Sequence, residues 1–80
     1  MYSNAISAPM PGIFYNKPGI DQPPYFQLDD IVITGATIGL IEVMKTFTPV
    51  TAPVGGLFKG YLVENEDAVM AGDLLAKILV

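Results

Sequence analysis

Residues 30–43 read DIVITGATIGLIEV, and residues 67–80 read DAVMAGDLLAKILV. Laid on each other with an offset of 37, the two stretches share five identities in 14 positions. Upstream, residues 8–14 (APMPGIF) match residues 52–58 (APVGGLF) with an offset of 44. The chain therefore contains an internal repeat, and two such halves folded face to face would bury one shared core that neither half buries alone.

Short apolar runs bounded by turn residues indicate strands in both halves. Seven prolines and eight glycines interrupt the 80 residues so often that no long helix fits between them. Residues 67–77 have an apolar spacing that also fits a helix, but their repeat partners, residues 30–40, hold Gly35, Gly39 and several β-branched residues. The pattern predicts an all-β sandwich or flattened barrel, with a positive φ at the equivalent turn glycines Gly35 and Gly72.

The composition excludes several classes of function. The chain has no Cys, no His and no Arg, which removes thiol and Ser-His catalysis, disulfides and the usual zinc sites, so an independent enzyme is not expected. A net charge of -4 with four lysines argues against nucleic-acid binding. The longest apolar stretch, residues 31–41, is shorter than the ~20 residues of a membrane helix, and no export signal is recognisable. The expectation is a cytoplasmic protein with an N-terminal extension over residues 1–5 and one domain over residues 6–80.

The first half differs from the second by seven extra residues within 15–24. The inserted stretch contains three prolines, which lower the entropy lost when a loop becomes ordered and so favour a stiff projection. From the residues alone, an ordinary surface loop is the favoured interpretation. The candidate projection comprises Lys17, Pro18, Gly19, Ile20, Asp21, Gln22, Pro23 and Pro24.

Lys45 lies in residues 42–46 (EVMKT), at the seam between the two halves. If an approximate twofold axis relates the two halves, Lys45 lies at the end of the domain opposite Val80. An exposed lysine amine is almost wholly protonated at neutral pH, so selection among the four lysines must come from presentation. Considered alone, Met44 is best explained as a core residue, and Glu42 and Lys45 are best explained as a solvent-exposed ion pair. Taken together with the seam position, the pattern favours a modified lysine.

These residues resemble the biotin carboxyl carrier proteins of bacterial acetyl-CoA carboxylase, over roughly residues 6–80. The family's attachment motif, Glu-Ala-Met-Lys-Met, stands here as residues 42–46. Residues 8–15 are similar to the family's Ser-Pro-Met-Val-Gly-Thr-Phe-Tyr, and residues 62–65 to its Leu-Val-Glu-Ser. The resemblance implies a flattened barrel of two four-stranded antiparallel sheets with pseudo-twofold symmetry. It also implies a tight hairpin at Lys45 and a "thumb" at about residues 15–24, whereas Met44-Lys45 itself carries no Asn-Gly-like turn signal.

The resemblance further implies covalent biotin on Lys45. A biotin protein ligase would attach it, recognising Glu42, Val43, Met44 and Thr46. Biotin carboxylase would then use ATP and bicarbonate to carboxylate the ureido ring, and a carboxyltransferase would pass the carboxyl group to an acyl-CoA, as in fatty acid biosynthesis. The domain itself would be a carrier of carboxybiotin and not a catalyst.

Three departures from the family pattern bear on this interpretation. Val43 replaces a small residue and Thr46 replaces a hydrophobic one, which predicts slower modification, and Lys17 stands where the thumb commonly has Thr. Two alternatives stay open. A lipoyl carrier shares the fold, although its lysine typically lies in Asp-Lys-Ala and the neighbours here favour biotin. The other alternative is an unmodified biotinyl-like module with a structural or interaction role.

Overall fold

The computed structural model describes residues 3 to 80, which form eight strands in two sheets. The strands are β1 (Ser3–Ser7), β2 (Gly12–Tyr15), β3 (Ile31–Val32), β4 (Thr37–Val43), β5 (Thr46–Thr51), β6 (Gly56–Tyr61), β7 (Asp67–Val69) and β8 (Leu74–Leu79). Sheet A has the order β1-β8-β6-β3, and sheet B has the order β5-β4-β2-β7. All neighbouring strands are antiparallel. The predicted fold class is confirmed.

The sequence repeat is realised strand for strand. Strands β1 to β4 correspond to β5 to β8, and exchanging the halves converts the strand order of one sheet into that of the other. The register keeps the symmetry: Phe14 lies opposite Ile41 in sheet B, and their equivalents Phe58 and Ile78 lie opposite each other in sheet A. Each sheet therefore takes two strands from each half, and neither half contains a complete sheet.

The core lies between the two sheets, where the inward-facing residues of each strand meet. Phe14 and Phe58, related by the repeat, are 0% and 1% exposed. Two aromatic residues without repeat partners of their own kind complete the centre: Phe26 stacks on Phe58 with ring centroids 5.6 Å apart, and Tyr61 meets Phe58 edge-on at 4.7 Å. The Tyr61 hydroxyl donates a hydrogen bond to the carbonyl oxygen of Ile38 at 2.7 Å, and burial raises the pKa of Tyr61 to about 12.

Equivalent turns precede the two long inner strands, β4 and β8. Gly35 and Gly72 both have a φ of +88°, which confirms the positive φ expected from the sequence. The N–H of Gly35 donates to the carbonyl of Ala52, and the N–H of Gly72 donates to the carbonyl of Ala8, each at 2.8 Å. The turn before β4 is thus hydrogen-bonded to the residue that follows β5, and the turn before β8 to the residue that follows β1.

Two boundaries are clearer in the structure than in the sequence. Residues 67–77 form β7, a turn and the start of β8, so the helical alternative for this segment is wrong. Strand β1 begins at Ser3 and pairs with β8 from Leu79 onward, so residues 3–5 lie in sheet A and not in an extension before residue 6. Ladder hydrogen bonding, not an apolar pattern, places them there. Within residues 3 to 80, no helix is long and apolar enough to cross a membrane.

Candidate functional site

Lys45 lies at the tip of the hairpin that joins β4 to β5. Val43 and Thr46 form the closing pair of the ladder, which leaves Met44 and Lys45 as a two-residue loop. Their φ values are +50° and +65°. Positive φ at both loop positions is the pattern of a type I′ turn, whose twist matches that of the flanking strands. Because neither residue is Gly or Asn, each carries a backbone cost of about 1 to 2 kcal/mol, which the β4–β5 ladder must offset.

The hairpin presents its tip fully to solvent. Met44 is 93% exposed, Lys45 is exposed, and the described part of the chain offers no ion-pair partner for the Lys45 amine. The other three lysines sit differently. Lys59 forms a salt bridge with Asp29, Lys17 is half-buried, and Lys77 lies within β8. Lys45 is thus distinguished by its position on a projecting turn.

The base of the hairpin is held by a hydrogen bond from the neighbouring strand. The hydroxyl of Tyr15 donates to Oε1 of Glu42 at 2.8 Å, and this hydrogen bond, with burial and the nearby charges of Glu42 and Glu66, raises the pKa of Tyr15. Phe47 lies opposite Glu42 in the ladder, and its ring centroid is 5.8 Å from that of Tyr15. The carboxylate of Glu42 therefore has a fixed partner three residues before Lys45.

The insertion after β2 is closed at its neck by a backbone hydrogen bond. The N–H of Tyr25 donates to the carbonyl of Asn16 at 2.9 Å, and a turn inside the loop joins Gln22 to Gly19 at 3.1 Å. The N–H of Asn16 also donates to Oδ1 of Asn65 at 2.8 Å. The bond to Asn65 attaches the root of the insertion to the loop before β7, and the bond between Tyr25 and Asn16 closes the insertion into a projection.

A cavity of about 420 Å³ lies between the insertion and the outer face of sheet B. Its lining combines the near side of the insertion with residues of β2, β4, β5 and the loop before β7. The lining residues are Tyr15, Lys17, Pro18, Gly19, Ile20, Leu40, Phe47, Asn65 and Glu66. Phe47 lies on β5, two residues after Lys45, so the cavity reaches one arm of the hairpin whose tip carries Lys45.

The structure brings together most of the residues that the sequence singles out. Glu42, Val43, Met44 and Thr46 flank Lys45 on the hairpin, and the first four residues of the predicted thumb line the cavity. Asp21, Gln22 and Pro23 are exposed and Pro24 is half-buried, and none of these four lines the cavity. Sequence reasoning missed Tyr15, Leu40, Phe47, Asn65 and Glu66. Only strand register could have found the first three, because they converge through cross-strand pairing.

The sequence that forms this fold matches a known protein family. The family model described as "Biotin-requiring enzyme" matches residues 4–78. The chain belongs to this family. The resemblance to biotin carriers drawn from the motifs is thereby confirmed, and the family covers every strand of both sheets except the outermost residues of β1 and β8.

Similar members of the biotin-requiring family carry one name. The chain is 36% identical to the biotin carboxyl carrier protein of acetyl-CoA carboxylase from Streptococcus pyogenes, over 91% of this chain and 44% of that protein. It is also 36% identical to the protein of that name from Porphyra purpurea, over 91% of this chain and 46% of the relative. The chain therefore spans a little under half the length of these curated relatives.

A solved structure gives the same result for the fold. The crystal structure of the Kluyveromyces lactis urea carboxylase superposes on 99% of this chain with a TM-score of 0.78 and 29% sequence identity. This chain covers 6% of that much larger protein. A part of that urea carboxylase thus has the same all-β fold as this chain.

Proposed function

We propose that this chain is the carrier domain of a biotin-dependent acyl-CoA carboxylase and that biotin is attached to the side-chain amine of Lys45. The observation that carries the proposal is the position of Lys45 at the exposed tip of a two-residue hairpin, within a Glu-Val-Met-Lys sequence of a biotin-requiring family member. An amide formed there leaves the cofactor outside the body of the domain, at the end of a long flexible side chain.

Attachment is an acyl transfer. The neutral amine of Lys45 attacks the carbonyl of biotinyl-adenylate, an amide bond forms, AMP leaves, and the proton of the amine passes to a base of the ligase. The role of this chain in the reaction is to present the amine, and the base belongs to the ligase. Met44, 93% exposed, offers the ligase an apolar contact beside the amine, and Glu42 offers a carboxylate.

Bound biotin supplies a ureido ring that can take up a carboxyl group and give it away again. The chain's own residues would present that ring and restrain it. The insertion and Phe47 form a cavity next to the hairpin, and we assign residues 17 to 24 the role of a thumb that limits the space the ring samples.

Three partners follow from this role: a biotin protein ligase, a biotin carboxylase and a carboxyltransferase. The names of the similar carriers, each a component of acetyl-CoA carboxylase, support the last two. The domain moves the carboxyl group between two active sites and catalyses neither reaction. A projecting hairpin suits this task, because each partner needs to enclose only the tip.

The test is intact mass after coexpression with a biotin ligase in medium containing biotin. Wild type should gain the mass of one biotinyl group, Lys45→Arg should gain none, and Lys77→Arg, which changes an exposed lysine within a strand, should match wild type. Biotinyl mass on Lys45→Arg would place the attachment elsewhere. A lipoyl mass in wild type would identify a lipoyl carrier, and an unmodified wild type would leave the structural-module alternative.

A further inference from the structure

The side chains of Tyr15, Glu42 and Phe47 form one connected group on the outer face of sheet B. Tyr15 lies opposite Leu40, and Glu42 lies opposite both Ile13 and Phe47 in the ladder. The 2.8 Å hydrogen bond from Tyr15 to Glu42 therefore runs diagonally across two strands. The rings of Tyr15 on β2 and Phe47 on β5 meet across the intervening strand β4, with their centroids 5.8 Å apart. The group links β2, β4 and β5 below the tip that carries Lys45.

Tyr15 also begins the insertion. It is the last residue of β2, it lines the cavity, and the next residue, Asn16, forms the neck of the projection through its bonds to Tyr25 and Asn65. A single side chain therefore touches both arms of the hairpin and stands at the root of the insertion. Any change in the position of this ring would reach the hairpin and the insertion together.

The second half of the chain provides an internal control. Under the repeat, the equivalents of Tyr15, Glu42 and Phe47 are Lys59, Leu79 and Ser3. Lys59 makes a different contact, the salt bridge with Asp29. Sheet A keeps the same strand order and the same central register without the group. The repeated strand arrangement therefore forms in sheet A without such a group, which favours a role for the group at the hairpin end and not in the repeated architecture.

We infer that Tyr15 is a positioning residue, whose hydroxyl and ring hold the Glu42 carboxylate and the Phe47 ring in one arrangement that the biotin ligase recognises. The inference rests on the proposed modification of Lys45. A glutamate on a strand surface otherwise samples several rotamers and must be ordered when a partner docks. Fixing it beforehand lowers the cost of docking, which affects the affinity for the carrier more than the chemical step.

The experiment measures initial rates of biotin transfer to wild type and to Tyr15→Phe at varied carrier concentration. Phe keeps the ring and removes the hydroxyl. We expect KM for the carrier to rise about 3- to 10-fold, the equivalent of one net hydrogen bond, with kcat close to wild type and the melting temperature lowered by several degrees while the domain stays folded. In Glu42→Ala, KM should rise as well, and adding Tyr15→Phe to Glu42→Ala should have no further effect, since the hydroxyl then has no partner.

Three outcomes would overturn the positioning role: an unchanged KM in Tyr15→Phe, a fall in kcat alone, or additive effects in the double variant. Tyr15→Leu, which also removes the ring contact with Phe47, should raise KM further than Tyr15→Phe does, and an equal KM would overturn the part assigned to the ring. The proposed function fails separately. A wild-type chain that the ligase leaves unmodified overturns the attachment to Lys45, whereas a modified wild type with an unaffected Tyr15→Phe overturns only the role of Tyr15.

Discussion

Replacing Gly72 with Val should destabilise the domain through the backbone alone. A Cβ at this position would meet nothing within 4 Å, so the Cβ itself causes no packing clash. The φ of +88° is one that L-residues rarely adopt, and β-branched side chains fit it least. Holding Val there should cost about 1 to 3 kcal/mol. In a domain of this size each kcal/mol lowers the melting temperature by about 4 to 8 °C.

Thermal and urea denaturation of matched variants measure this cost. Gly35→Val is the internal twin, since Gly35 has the same φ and the same open surroundings, and it should lose a similar amount. Gly72→Asn should lose less, because Asn tolerates the left-handed region. A melting temperature for Gly72→Val within a degree or so of wild type would refute the reasoning, as would Asn destabilising the domain as much as Val does.

Three further predictions concern the hairpin, the insertion and the core. Thr46→Met, which restores an apolar side chain beside Lys45, should raise the rate of biotinylation and leave stability nearly unchanged because Thr46 is exposed; initial rates with a biotin ligase and a melt check both parts. Shortening residues 17 to 24 by seven, to the length of the equivalent connection in the second half, should leave a folded domain that discriminates less between biotin and lipoate and supports slower carboxyl transfer. An unfolded product would instead make the insertion part of the core. For Tyr61, whose pKa burial raises to about 12, the unfolded chain releases the hydroxyl proton near pH ~10 while the folded chain retains it. The stabilisation from the buried neutral hydroxyl is therefore complete below pH ~10 and is lost as the pH rises toward 12. Between about pH 9 and 11, the melting temperature should fall more steeply with pH for wild type than for Tyr61→Phe.

Much of the fold was predictable because the repeat is visible in the sequence. Residues 30–43 and 67–80 contain β3–β4 and β7–β8 in full, and the shared Gly35 and Gly72 mark the same turn in each. The start of β1 was not predictable in this way. Residues 3–5 are not an apolar run, and they are strand only because β8 offers them a ladder partner.

The candidate site was also predictable from the sequence only in part. Lys45 and its neighbours stood out through motif and seam position, whereas the turn itself gave no signal, because Met44 and Lys45 adopt positive φ without a glycine or asparagine. The group around Tyr15 was hidden for another reason. Glu42 and Phe47 follow Tyr15 by 27 and 32 positions in the chain, and their contacts with Tyr15 can be deduced only once the register of β2, β4 and β5 is known. Local patterns cannot supply that information.

The sharing of strands between the two sheets has a consequence for synthesis. Strand β8 lies inside sheet A, between β1 and β6, so the sheet has a gap at its centre until residue 79 has been added. A chain that lacks β8 cannot complete sheet A or close the core that the two sheets share, although its Lys45 hairpin in sheet B is already present. We expect such an incomplete domain to be a poor substrate for the ligase, because a single cooperative unit presents the hairpin only once both sheets are formed.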